Sequence, residues 1–137
     1  MDEFPVESLQ LYDVQDPGSP NLERIAIYVK EGCDLGNYCL MIGFRNLDGS
    51  ASPMKDNMLW FGRGIVNAGD WIFIYTAPGT PRIIDLPDQS GRLISIHWGK
   101  DQTVFQNKSL VPMLCQFGGI STPPLPEPQA QTMRITY

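Results

Sequence analysis

A strand that is apolar on both faces has few places to go in a folded chain, and residues 67–76, Asn-Ala-Gly-Asp-Trp-Ile-Phe-Ile-Tyr-Thr, encode one. The Gly69-Asp70 turn leads straight into six residues that favour extended backbone. Alternation sends Trp71, Phe73 and Tyr75 to one face and Ile72, Ile74 and Thr76 to the other. Such a strand belongs in the middle of a sandwich or barrel, not at an edge. No side chain in it is an obvious catalytic group.

Further strand-sized segments recur at short intervals, each bounded by turn residues. Val6 to Tyr12 alternates loosely, and the loop Asp16-Pro-Gly-Ser-Pro-Asn21 ends it. Leu22 to Lys30 places Ile25, Ile27 and Val29 on one face, with Arg24, Ala26 and Tyr28 on the other. Tyr38 to Phe44 is nearly all apolar and reads as a strand covered on both sides. Residues 45–57 are polar, with Gly, Ser and Pro, and read as a long surface loop. Met58 to Phe61, Arg92 to Trp98, Thr103 to Phe105 and Leu110 to Phe117 complete the expected strands. No window keeps a helical period, so little helix is expected. The pattern predicts an all-β, antiparallel sandwich.

A chain of 137 residues is the size of one domain, and 42% hydrophobic with 18% charged residues suits a folded core. The net charge of −5 opposes a sequence-independent grip on phosphates, so nucleic acid is not an expected partner. The first residues lack a basic start followed by an apolar run, and no apolar stretch is long enough for a membrane helix. Three cysteines cannot complete a disulfide framework within one chain, which points to reduced thiols in a cytoplasmic protein.

The organisation expected is a sandwich domain over residues 1–119 and a proline-rich C-terminal tail over 120–137. Pro123-Pro-Leu-Pro-Glu-Pro128 cannot make a strand ladder and favours polyproline II. It reads as a solvated arm, or as a ligand for a proline-reading surface through Pro124 and Pro126. Met133 to Tyr137 regains strand character and has the pattern to dock on a sheet edge, its own or that of another copy.

In order along the chain, these segments resemble the lamin tail domain family, in its bacterial form. Leu9-Gln-Leu11, the Asp16 to Asn21 loop and Glu23-Arg-Ile-Ala-Ile27 match its opening strands. Asp34-Leu-Gly-Asn-Tyr-Cys-Leu40 stands at its turn-strand, with Gly one place early and Tyr38 where the family has Trp. Trp60-Phe61 is similar to its aromatic pair and Ala68-Gly-Asp70 to the turn before its long apolar strand, while Trp98, Asn107 and Gly118 follow in sequence. The family's second Asn-x-Gly-Asp is replaced by Asn107-Lys-Ser-Leu110. The resemblance covers about residues 6 to 119 and implies an immunoglobulin-like fold and an interaction role.

Chemistry-bearing residues are sparse. His97 is the single histidine, so any histidine-based general base must use it, with Cys33 or Cys115 as the available thiol. Its mid-strand position suits a structural histidine. Three cysteines and one histidine equal a zinc set in number, but Cys33 and Cys39 lack knuckle spacing and Cys115 lies in an apolar strand. Asp34, Asp48, Asp56, Asp85, Asp88 and Asp101 fall among turn residues with no calcium-loop pattern. No cofactor or metal is expected. The aromatics Trp60, Phe61, Trp71, Phe73, Tyr75 and Trp98 are assigned mostly to the core, with any exposed member a partner anchor. Arg63, on the Gly62–Gly64 turn, and Trp60 beside it are the expected binding residues.

The reading is a non-enzymatic, intracellular protein-binding module. Alternatives are a structural or assembly protein, of phage or secretion-apparatus type, that self-associates through its C-terminal strand, and an acidic inhibitor or immunity-type protein.

Overall fold

Alternating apolar and polar residues set the strands, and the buried half of each alternation decides how they stack. A computed structural model describes residues 5–126, which form ten strands and one 3-10 turn. The strands are β1 (Leu9–Gln15), β2 (Arg24–Val29), β3 (Cys33–Asp34), β4 (Tyr38–Arg45), β5 (Ala51–Trp60), β6 (Ile65–Val66), β7 (Trp71–Tyr75), β8 (Arg82–Asp85), β9 (Arg92–His97) and β10 (Leu110–Gln116). The turn spans Leu35–Asn37. A large sheet runs β1-β2-β7-β9-β8 and a small sheet runs β10-β4-β5, with β3 and β6 paired beside them. Leu9, Ile25, Ile27, Val29, Ile72, Ile74 and Ile94 of the large sheet meet Tyr38, Leu40 and Ile42 of the small one in a single core. Each fully buried Ile or Leu there contributes roughly 1.5–3 kcal/mol. The all-β sandwich expected from the alternation is the observed architecture.

β7 is the middle strand of its sheet, as its two apolar faces required. One detail departs from an all-antiparallel arrangement: β7 and β9 run parallel, Trp71 pairing with Leu93 and Tyr75 with His97. Hairpin partner β8 lies antiparallel on β9, so the chain leaves β7, forms the sheet edge and returns beside β7 in the same direction.

Three expectations need correction, and one strand, β8, was not expected. The first strand begins at Leu9 instead of Val6 and carries a bulge between Leu11 and Val14, so Val14 regains the core. Most of the segment expected as a loop over 45–57 is β5, because only residues 46–50 turn, closed by Asn46 N–H to Ser50 O at 2.7 Å. Its polar composition fits an edge strand with a solvated side, where Pro53 is tolerated. β8 has no alternating burial, all four residues being exposed, and so left no periodic signal. Thr103 to Phe105 is not a strand; the N–H groups of Val104 and Phe105 instead bond a carboxylate.

That carboxylate is Glu23, which is 1% exposed. Its Oε1 accepts from Gly18 N at 2.8 Å and Phe105 N at 2.9 Å, and its Oε2 from Thr76 Oγ1 and Val104 N, both at 2.8 Å. Burial pushes its pKa up, but the donors from Val104, Gly18, Phe105 and Thr76 together bring it below the usual carboxylate range. Asp70 plays a matching part at the other end of β7. It accepts from Asn67 N at 2.9 Å and Arg92 N at 2.9 Å, and pairs with the Arg92 guanidinium at 2.8 Å. Burial opposes its ionisation and these donors outweigh it, so its pKa is lowered. Before it, Gly69 turns at φ +96°, where a Cβ would meet Ser90 O at 2.8 Å, so the turn into β7 requires glycine.

The sequence Met133 to Tyr137, expected to be a strand, and the end of the proline-rich segment lie outside the described residues. Among the described residues no helix is long and apolar enough to cross a membrane.

Candidate binding face

Because Ile72, Ile74 and Thr76 point into the core, the alternation of β7 forces Trp71, Phe73 and Tyr75 onto the outside of the large sheet. The neighbours add to this row. Tyr28 on β2 stands against Trp71 at 5.0 Å between ring centres, and Tyr12 beside the β1 bulge reaches the same indole at 5.2 Å. Trp71 and Phe73, then Phe73 and Tyr75, follow at 6.5 Å each, and Tyr75 stacks on His97 of β9 at 5.1 Å. The Arg24 guanidinium lies over Phe73 at 5.2 Å and Tyr75 at 6.0 Å, held also by Asp16 at 2.8 Å. Six rings and one cation thus form a continuous band.

Successive rings along the band, from Tyr12 to Tyr75, are inclined by 52° to 69°. They present notches between edges and faces, not a flat platform. Ala26, small and 4% exposed, lies opposite Phe73 in the β2–β7 register and lowers the floor there. The result is a groove of about 510 Å³ walled by Tyr12, Trp71, Phe73 and Leu93, with Gln15 and Arg24 at its polar end. The lining is mainly apolar, which suits an occupant that buries hydrocarbon and is oriented by few polar contacts.

The assignment of the aromatic set mostly to the core is corrected by this face. Phe61 is buried and Trp98 packs against the core, but Trp71, Phe73 and Tyr75 stand half-buried on the outer surface and Trp60 is 47% exposed. The two-faced pattern of β7 was visible in the sequence. The depth of each face was not, because it depends on what covers it.

Trp60 and Arg63 do come together, around Gly36. The Trp60 indole N–H donates to Gly36 O at 2.9 Å, and the Arg63 side chain lies against Gly36. Asp34 Oδ1 accepts from Gly36 N at 2.8 Å and Gly64 N at 3.1 Å, and these two donors hold its carboxyl below the usual range. Trp60 belongs to the small sheet, so this corner is separate from the aromatic band. Pro124 and Pro126 are exposed, as is Leu125 at 94%.

His97 faces outward from the large sheet, stacked on Tyr75, with Nδ1 buried and without a hydrogen-bond partner among the described residues. Cys115 sits in the small sheet across the sandwich, so the two do not form a nucleophile–base pair. Cys33 lies in β3, where burial first, then the Asp34 and Glu31 charges, raise its thiol. Cys39 is fully buried and pairs in register with Cys115; burial, then the Cys115 thiol, push it up to about 11. No group of three or more His, Cys, Asp or Glu side chains converges among the described residues.

Comparison with protein-family models, with curated proteins and with solved structures gave no match to this chain.

Proposed function

We propose that this chain is a non-enzymatic protein-binding module of lamin-tail type, and that the aromatic band on the large sheet is its docking face. The observation that carries the reading is the continuity of ring contacts through Tyr12, Tyr28, Trp71, Phe73 and Tyr75, beside a groove that Tyr12, Trp71 and Phe73 line with Arg24 at its end. Rings of this kind, with Arg, dominate interface energetics. The partner that suits the groove is an extended, proline-rich, acidic protein segment. Proline rings fill notches between aromatic edges, and a polyproline II segment is already ordered before it binds. Arg24 supplies the charge for a carboxylate. The chain itself carries such a segment, Ser121-Thr-Pro-Pro-Leu-Pro-Glu-Pro128.

A synthetic peptide of that sequence, titrated into a version of the protein ending at Gly119, is the direct probe. Binding should perturb the Trp71 environment, and Trp71→Ala should weaken it by about 10-fold or more, whereas Trp60→Ala and Arg63→Ala should not. No binding, or binding lost in Trp60→Ala but kept in Trp71→Ala, would reject this face.

A second reading is self-association, favoured by the exposure of Ile120 (71%) and Leu125 (94%) on the arm that leaves β10. Sedimentation of the full chain against the version ending at Gly119 tests it. A monomer in both removes the reading.

A further inference from the structure

The outer face of the small sheet carries sulfur in two adjacent rows. Cys115 pairs across to Cys39, and Cys39 to Trp60; one rung on, Met113 pairs to Met41, and Met41 to Met58. Rungs two residues apart share a face, so all six side chains lie together. Five of the six end in a thiol or thioether, and the sixth has its indole N–H committed to Gly36 O. This chemistry owes nothing to the aromatic band, which lies on the opposite surface.

The phase of the ladder decides what the two cysteines can do. Phe117 N donates to Asn37 O and Arg45 N to Ser109 O, both at 2.8 Å. Both pairs extend the unbroken β4–β10 register that contains Cys39 and Cys115. Hydrogen-bonded rungs recur at every second residue, so Cys39–Cys115 occupies one. In such rungs opposed Cβ atoms generally lie toward the wide end of about 4.5–5.5 Å, since the closer pairs are the unbonded ones. A disulfide needs about 3.5–4.5 Å. The register therefore disfavours the bridge while keeping two sulfurs side by side.

We propose that Cys39 and Cys115 form a binding site for one soft monovalent ion of the Cu(I) and Ag(I) class, with Met41 as a flanking thioether. Sulfur-only donors select such ions over hard cations. Structural zinc needs four donors in a tetrahedron, and no third or fourth His, Cys, Asp or Glu converges here among the described residues. Met113 is a weaker candidate for the third ligand, because its sulfur packs over Gly43. On binding, each thiol releases its proton to solvent, two protons per ion, and both sulfurs bond the metal.

The test uses the reduced full-length protein titrated with Ag(I), and with Cu(I) in competition with a chelator such as bicinchoninate. One ion per chain is expected. Cys39→Ser and Cys115→Ser should each weaken binding by more than about 100-fold, beyond the loss typical of a supporting residue. Met41→Leu should cost about 10-fold, and Cys33→Ser should change nothing. Because a serine at buried position 39 can unfold the chain, alkylation of the wild type gives a second measure. Bound Ag(I) should protect Cys115 and leave Cys33 reactive. Equal protection of Cys33 and Cys115, protection of neither, loss of binding in Cys33→Ser, or wild-type binding in both serine variants would each overturn the proposal.

Discussion

The two outer faces of this sandwich are built by the same alternation and end with opposite chemistry. On the large sheet, residues two apart are Trp71, Phe73 and Tyr75; on the small sheet they are Cys39, Met41 and Gly43. Rings of the first set lean on one another and on Arg24, leaving notches that an extended chain can fill. Side chains of the second set are slender, so Cys39 sinks to full burial within its own surface layer. The lesson is that facing outward does not fix a role. What an outer row can bind depends on whether its side chains are wide and amphipathic or narrow and polarisable.

The strongest way to break the comparison is to disturb what both faces depend on. Glu23→Ala removes the acceptor for the Val104 and Phe105 N–H groups and for Thr76. A loss of about 3–5 kcal/mol is expected, read as a lower urea midpoint with an unchanged slope. Both binding activities should fall together.

Acid should act in the same direction. Glu23 and Asp70 both have lowered pKa values in the folded state. The unfolded chain therefore binds more protons, and the stability they give is complete above the unfolded values near ~4. It is lost as pH falls through the lower folded values. Thermal melts from pH 6 downward should show this decline, and Asp70→Asn should flatten part of it.

Smaller perturbations should separate the faces. At Gly43 a Cβ would run into the Met113 sulfur and stand 2.9 Å from Ser52 O, so Gly43→Ala should cost about 1–3 kcal/mol. It should shift the NMR signals of the methionine methyl groups while sparing the aromatic band. Gly79→Ala is its counterpart, since a Cβ there would collide with the His97 ring. The expected outcome is a displaced His97 signal and an unchanged ion affinity. The smallest effect belongs to Asp16→Asn, which removes the half-exposed pair with Arg24 and should cost less than about 1 kcal/mol in a urea melt.

Periodicity made the centre of the fold legible. The alternation of β7 and the dense apolar runs of β2 and β4 are buried as their residue types imply, and β9 and β10 show as short apolar strands. Edge elements were harder, because β5 and β8 have little or no buried alternation to betray them. The candidate sites were half-visible. Trp71, Phe73 and Tyr75 share a face in any strand, but their assembly with Tyr12, Tyr28 and Arg24 depends on strand order, which no local pattern carries. Cys39 and Cys115 are 76 residues apart, counting 115 − 39, and only register brings them opposite. Glu23 gave no signal beyond a carboxylate before a strand, since its donors come from three separate loops and strand ends.

The Glu23 cluster also bears on how the chain folds as it is made. Two of its donors, Val104 and Phe105, lie 81 and 82 residues downstream. A chain emerging only as far as β9 has every strand of the large sheet, yet its buried carboxylate lacks half of its partners. Such an intermediate is penalised, because an ionised group without donors resists burial. The sheet therefore locks only once the loop before β10 has arrived, which also delivers the last strand of the small sheet. Glu23 acts as a check on completeness, coupling early and late portions of the sequence into one cooperative unit.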